Sequence, residues 1–523
     1  VSAAAPVWRL RLLLLAFATL FVIGVDGMWA AKRYPYAADS ASYIEMADSL
    51  YHEGRPRVTP WDAAEGVEDE IPQRLFPPGY PLLIAAFIPL VGDARTAALV
   101  PSRVAAVLLP LMILTLFGGA LSTNALAWVA VYTLLTPGVR GWQFLAYSDV
   151  PALAVSVLAL GALARGLGLI GEARKPLAWC VLAGFAAGCA YTIRNAGIAV
   201  LAITVVMLLE SLWRRRAWRE ALAVGIGVVW PLIALWSYNL MTFGEWQPYA
   251  MPPSRRAWAL NVVDWARASL TDAGMPWQIA EPLPRAVAPI VFGAVLCVLA
   301  AGFWRLRGYP KRRALLLLLA GYASGGALLL ILSRSRYEWG NVIDERNTLQ
   351  YTWALVLALM MAVSTLCTPN VLVVLRRLAL TWLAMMACMS VYDAWSVGTA
   401  PVEWWQKLAR DPRVSDAARL APHTYLASNQ AVLFRIGAGA HVRNVEIGGD
   451  DRDLWRALAS LRREAAGRPA RLLLICDEYT RGFSGCGGTP VLGLRAPECP
   501  FVREPSPRVL ACDVPVEDVG RAP

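Results

Sequence analysis

Asp39 heads the segment A-D-S-A-S-Y-I-E-M-A-D-S-L-Y at 38–51, with Ser40 and Ser42 beside it. An aspartate at the start of a helical pattern has two chemistries open to it. It can cap the helix, worth about 1 kcal/mol, or it can take a proton from an incoming hydroxyl as a general base. The two coexist if another residue completes the cap. Tyr43, Met46, Ala47, Leu50 and Tyr51 recur at helical spacing, with Glu45, Asp48 and Ser49 on the other face. That pattern predicts an amphipathic helix lying on a membrane surface. Further on, R-L-F-P-P-G-Y-P-L-L-I at 74–84 predicts a Pro77-Pro78-Gly79 turn feeding a short apolar helix that ends near Val91-Gly92. That helix is too short to cross a bilayer. It either simply packs or shapes one wall of a cavity.

Other ionisable residues sit at the edges of apolar runs. Asp149 stands in Y-S-D-V-P-A, Arg194 in A-Y-T-I-R-N-A-G, and Asp344, Glu345 and Arg346 in I-D-E-R-N-T-L; Asp26 closes the first run. Each alone could be a structural pair or cap. Charge at such depths is costly unless it pairs or faces a cavity. Together these residues suggest a single polar cavity holding both signs of charge. The planar guanidinium of Arg194 and Arg346 suits an anionic phosphate. Tyr43, Glu45, Tyr80 and Asp344 are the candidate substrate contacts.

The elements that must position these residues follow from composition. Of 523 residues, 57% are hydrophobic and 17% charged, against about 25% charged in an ordinary soluble chain. A soluble enzyme, a disordered protein and a disulfide scaffold are excluded. The expected fold is a multi-pass α-helical membrane protein of about eleven spans with a small α/β domain after them. Candidate spans cover 10–30, 97–119, 124–138, 149–165, 177–193, 195–213, 220–240, 286–304, 314–333, 348–367 and 378–397. Basic residues concentrate in alternate connections: Arg9 and Arg11; Arg165, Arg174 and Lys175; Arg214, Arg215, Arg216 and Arg219; Arg305 to Arg313; Arg376 and Arg377. This alternation predicts a cytoplasmic N-terminus in a bacterial inner membrane, with the first loop (31–96), a second loop (241–285) and the tail outside. The division is a membrane domain over 1–397 and an extracytoplasmic domain over 398–523. The net charge of +11 is thereby explained by topology. No single basic face or reading module points to nucleic acid.

In the tail, 423–428, 442–447, 471–476 and 508–512 read as strands and 454–465 as an amphipathic helix. Cys476, Cys486, Cys499 and Cys512 lie there, with three pairings open to them. Cys180, Cys189, Cys297, Cys367 and Cys388 fall in spans as small apolar packers.

The combination D-S-A-S-Y-I-E-M-A-D-S-L, F-P-P-G-Y-P-L-L, S-D-V-P-A-L and R-N-A-G, in that order and all on the expected outer face, resembles the GT-C superfamily of membrane glycosyltransferases. It is similar to the protein O-mannosyltransferases and the lipid A aminoarabinose transferases. The tail's A-S-N-Q-A-V-L-F-R-I-G-A-G-A resembles the end domain that many of them carry. The resemblance implies a sugar donor carried on a polyprenyl phosphate, a membrane-lipid surrounding, and Asp39 as catalytic base with Asp149 assisting. The acceptor would be a hydroxyl of a protein, a glycolipid or a polysaccharide. A lysine precedes the Pro-Pro pair in the aminoarabinose transferases, whereas Phe76 stands here. Arg74, two residues earlier, is the candidate replacement.

The chemistry is self-consistent. A lipid phosphate leaves as an anion and needs little protonation, unlike a glycosidase leaving group. One base is then enough, the displacement inverts the anomeric centre, and Arg194, Arg346 and Arg74 stabilise the phosphate. The absence of a phosphate-cradling glycine loop in the sequence argues against a nucleotide-sugar donor. No cofactor is required, although Asp39 and Asp149 could share a divalent cation with the phosphate. His52, His423 and His441 form no ligand cluster by spacing. The competing readings are a flippase or transporter of lipid-linked sugars and a cell-envelope polysaccharide assembly protein.

Overall fold

The computed structural model describes residues 7–30, 35–36, 38–58, 71–171, 174–249, 253–275, 287–337 and 343–399, together with five strands of the tail. Fifteen α-helices are named here in chain order. They are α1 (Val7–Ala30), α2 (Ala38–Glu53), α3 (Gly79–Val91), α4 (Ala94–Leu116), α5 (Thr123–Leu135), α6 (Pro137–Gln143), α7 (Asp149–Gly166) and α8 (Pro176–Ile193). Then come α9 (Ile198–Arg215), α10 (Trp218–Phe243), α11 (Trp258–Asp272), α12 (Val287–Arg305), α13 (Pro310–Arg336), α14 (Glu345–Leu366) and α15 (Pro369–Thr399).

Among the described residues, ten helices are long and apolar enough to cross a membrane. Of the expected spans, the one at 124–138 falls short. It is the 13-residue helix α5, ended by Thr136 and Pro137. Proline cannot continue the ladder, and the Thr136 hydroxyl instead accepts from Val139 N–H to start α6. Helices α6 and α11 were not anticipated from the hydropathy pattern, because neither is a long apolar run.

The chain divides into two units, Val1–Met28 with Arg74–Ile84 and Leu99–Ser396, and Trp29–Gln73 with Ala85–Ala98 and Val397–Pro523. In the first unit α7 is the central helix, with 83% of its apolar window buried, whereas α15 has 6% of its window buried. Helix α8 packs on α7 and meets α10 at glycines. A Cβ on Gly184 would lie 2.0 Å from the Val224 carbonyl oxygen, and one on Gly227 would lie 2.1 Å from that of Val181. Small residues at such crossings let backbones meet where apolar burial alone discriminates little. Phe117, Tyr322 and Trp353 close the core, with the Phe117 and Trp353 rings 5.7 Å apart edge to face.

In the second unit α2 packs beside a two-stranded hairpin, β1 (Arg57–Val58) with β2 (Ile71–Pro72). Ser49 Oγ accepts from Arg57 N–H at 2.8 Å, and Gln73 Nε2 donates to Ser42 Oγ at 3.1 Å. These bonds let polar positions of α2 be buried. Ser42 and Ser49 are buried along with Tyr43, Met46 and Ala47, while Tyr51 is exposed. The expected division of this helix into an apolar and a polar face is therefore only partly kept.

The tail contains one five-stranded sheet of order β4-β3-β5-β7-β6. Its strands are β3 (Thr424–Ser428), β4 (Arg443–Glu446), β5 (Arg471–Cys476), β6 (Phe501–Val502) and β7 (Leu510–Pro515). β3 is parallel to β4 and β5, and β7 is antiparallel to β5 and β6. Strand β7 starts two residues later than expected. The expected helix at 454–465, and Cys486, Cys499, His423 and His441, lie outside the described residues.

Candidate active site

Asp149 is the first residue of α7 and is fully buried. A lone buried carboxylate is prohibitively costly. Two arginines from distant parts of the chain answer it. Arg194 Nη1 lies 2.9 Å from Oδ1, and Arg346 Nε lies 3.2 and 3.1 Å from Oδ1 and Oδ2. Gln350 Nε2 donates to the Asp149 backbone carbonyl at 2.7 Å.

Local structure explains how each arginine arrives. Arg194 is the C-cap of α8 in extended conformation, φ −152° and ψ 134°, before a single 3-10 turn over Asn195–Gly197. A Cβ on Gly197 would meet the Ala190 carbonyl oxygen at 2.3 Å, so the glycine permits the tight return that turns Arg194 toward α7. Arg346 sits in the first turn of α14, which Asp344 caps. Asp344 Oδ1 accepts from Asn347 N–H at 3.3 Å, and Asn347 Oδ1 accepts from Asp344 N–H at 3.4 Å. Gln350 is four residues after Arg346 and so lies on the same helix face. The Arg346 guanidinium also lies over two aromatic rings that meet edge to face, 4.2 Å from the Tyr147 centroid and 5.2 Å from that of Trp142. Such contacts add about 0.5–2 kcal/mol and fix the plane of the fork.

Burial, then the neighbouring Glu345, push the Asp344 carboxyl up to about 6, with Arg346 opposing and Asp149 adding to the rise. Two guanidiniums thus share one buried carboxylate, beside a second acid that titrates close to neutrality. Such an arrangement holds cations in a defined place without neutralising each by its own anion.

Of the other candidates, Tyr80 is fully buried, its hydroxyl 3.5 Å from Ser102 Oγ, which donates to the Tyr147 carbonyl at 2.8 Å. It therefore supports the loop that carries Tyr147. A Cβ on Gly79 would lie 2.4 Å from the Thr192 carbonyl oxygen, so the Pro77-Pro78-Gly79 turn abuts the end of α8 just before Arg194. Arg74 is not among the groups around Asp149. It is over half exposed, 3.6 Å from Glu245 and 5.1 Å from the Phe243 ring centroid. Proximity in sequence to the Pro-Pro turn did not carry it to that cluster, because Glu245, at the end of α10, offers a nearer anion.

Asp39, Tyr43 and Glu45 belong to the other unit. Asp39 is half-buried and lies inside the first turn of α2, which begins at Ala38, rather than at the N-cap. A carboxylate there still meets the positive end of the helix. Tyr43 is buried and Glu45 half-buried.

The hydropathy reading missed Gln350, Trp142 and Tyr147. The signal for Gln350 was its polarity one turn after Arg346 in an apolar span. For the rings it was G-W-Q-F-L-A-Y-S-D, which places Trp142, Phe144 and Tyr147 within seven residues of Asp149.

A bound divalent cation finds little support in these side chains. No group of three His, Cys, Asp or Glu able to hold a metal occurs among the described residues. The Asp149 carboxylate is already held by both arginines.

No family model and no curated protein sequence matches the chain. Solved structures do. The chain resembles ArnT from Cupriavidus metallidurans bound to undecaprenyl phosphate at 15% identity and a TM-score of 0.60, covering 99% of this chain and 100% of that one. The apo form of the same protein gives a TM-score of 0.62. An oligosaccharyltransferase from Archaeoglobus fulgidus, in complex with Zn and sulfate, is similar at 13% identity and a TM-score of 0.51, over 88% of this chain and 67% of that one. The chain shares the fold of these two proteins.

Proposed function

We propose that this chain is an integral membrane glycosyltransferase that moves a sugar from a polyprenyl-phosphate donor to a hydroxyl acceptor on the outer face of the membrane. The observation that carries the reading is the pair Arg194 and Arg346 clamped on the single buried carboxylate of Asp149, in a fold shared with a protein bound to undecaprenyl phosphate. The N-terminus is cytoplasmic and the tail extracytoplasmic in this reading, from the alternation of basic connections.

The reaction balances as follows. Asp39 takes the proton of the acceptor hydroxyl. The acceptor oxygen attacks the anomeric carbon, the bond from that carbon to the phosphate oxygen breaks with its electron pair, and polyprenyl phosphate departs. Attack opposite the departing phosphate inverts the anomeric centre. The Arg194 and Arg346 guanidiniums meet the negative charge that grows on the phosphate. Asp149 does not touch the reacting atoms. It holds both guanidiniums, and Tyr147 and Trp142 fix one of them. Asp344, Tyr43, Glu45 and Tyr80 line or support the sugar and acceptor sites. Arg74, held beside Glu245, is a cation at the rim. The sugar is a hexose or pentose. The acceptor is a hydroxyl of a protein, a glycolipid or a polysaccharide.

The test is transfer of labelled sugar from a polyprenyl-phosphate donor by the purified chain. Asp39→Asn is expected to insert and melt like the unaltered chain while losing transfer by roughly a hundredfold or more. Full transfer by that variant ends the role given to Asp39. Movement of the lipid-linked sugar across a liposome membrane with no new glycoside would replace the reading with a flippase.

A further inference from the structure

Asp272, the last residue of α11, is fully buried and takes no part in the chemistry above. Its Oδ1 accepts from Gly138 N–H at 3.0 Å. Oδ2 is buried with no hydrogen-bond partner inside bonding geometry. Ionised, the carboxyl would place charge on a buried oxygen that no hydrogen bond answers; protonated, it would not.

The surroundings agree. Burial pushes the Asp272 carboxyl up to about 7, against the bonds from Thr352 and Gly138, and the charge of Glu345 pushes the same way. Tyr132 of α5 is the other titratable group beside it. On α6 the charged Arg140 turns away, onto Ser390 and Asp393 of α15. From α15, Trp382 Nε1 donates to the Ala273 carbonyl at 3.1 Å, and Met386 packs on Gly274.

What Asp272 touches gives it reach. A Cβ on Gly138 would lie 2.4 Å from Oδ1 and 2.7 Å from Leu349 Cβ, so α6, α11 and α14 meet with no slack. Helix α6 carries Trp142 beneath Arg346, and α14 carries Arg346 itself. Along α14, Glu345, Leu349 and Thr352 are spaced to face Asp272 and α6, while Arg346 and Gln350 face Asp149.

We infer that Asp272 is a positioning residue held as a neutral carboxylic acid, which lets α6, α11 and α14 close on one another at Gly138 so that Arg346 is set for a phosphate. Ionisation leaves charge on the unpartnered Oδ2, beside the Glu345 charge. The joint then loosens and the phosphate site is lost with it. The effect on phosphate rests on the function proposed above.

The full-length chain in lipid nanodiscs tests this with Asp272→Asn, whose amide accepts from Gly138 N–H and stays uncharged at every pH. The folded carboxyl titrates above its unfolded value, so folding holds a proton and stability falls as pH rises toward about 7. The Asp272→Asn Tm is therefore expected to exceed that of the unaltered chain above about pH 7, by a gap that narrows as the pH is lowered. Binding of undecaprenyl phosphate to the unaltered chain is expected to weaken about threefold or more from about pH 6.5 to 8.5, and Asp272→Asn to remove that weakening. Asp272→Leu, which cannot accept from Gly138 N–H, serves as the contrast and is expected to melt lower at every pH. An Asp272→Asn Tm equal to or below that of the unaltered chain at about pH 8 overturns the proton. A Tm gap with the same weakening in both proteins overturns the positioning role. Absence of undecaprenyl phosphate binding at every pH counts against the proposed function instead, and melting still decides the protonation.

Discussion

Asp149 joins two arginines that approach from separate helix ends, and removing it has a different cost from removing either one. Asp149→Ala leaves two partly buried guanidiniums facing each other, a loss of about 3–5 kcal/mol. It is expected to appear as a lower Tm or failure to insert, measurable in detergent extracts. Arg346→Gln removes one cation, leaves Arg194 on the carboxylate, and keeps a side chain able to stack on Tyr147. Its expected signature is roughly a hundredfold loss in kcat with the fold retained. Equal stability losses in both variants would make the cluster a purely structural ion pair. The residue types were legible: carboxylates and arginines at the edges of apolar runs are too costly to be incidental. Their partners were not, since Arg346 is 197 residues from Asp149.

The first turn of α14 shows how an element aims a side chain. Asp344 starts the helix through a reciprocal cap with Asn347, and Arg346 follows two residues later. Asp344→Ala is expected to cost about 1 kcal/mol through loss of the cap. Asp344→Asn keeps an acceptor and removes the titration. The folded carboxyl titrates at about 6, above its ordinary value. Ionising it therefore costs stability progressively as pH rises to about 6, and the cost is constant above. Asp344→Asn is thus expected to melt higher than the unaltered chain above about pH 6 and to converge with it in more acid solution. Melting curves across pH check both variants, and an Asp344→Asn that melts below Asp344→Ala contradicts the cap. At this scale periodicity found the long apolar helices, four of the five strands of the tail sheet and α2, but not β6. It missed α6 and α11, which are short and mixed in polarity and are held by neighbours such as Arg140–Asp393, Asp272–Gly138 and Asn261–Ser335.

For the whole molecule the decisive matter is which way the chain lies in the bilayer. With native cysteines removed, Tyr51→Cys is expected to react with a membrane-impermeant thiol reagent in intact cells. Lys175→Cys is expected to react only after permeabilisation. Both positions are exposed, so failure to label reports sidedness rather than burial. The reverse pattern places α2 in the cytoplasm and removes the outer-face reaction. Run length and polarity along the chain are sufficient to mark where it crosses lipid, because a bilayer asks only for about 20 apolar residues in a row. The same reading placed acids and arginines at the ends of those runs. The rotation of each helix about its axis answers to packing with neighbours instead. The approach of α8 to α10 at Gly184 and Gly227, the bend at Gly197, and the contact of α6 with α14 at Gly138 set those rotations. They put Arg194 and Arg346 on Asp149, sent Arg74 to Glu245, and buried Asp272 against Gly138 of α6.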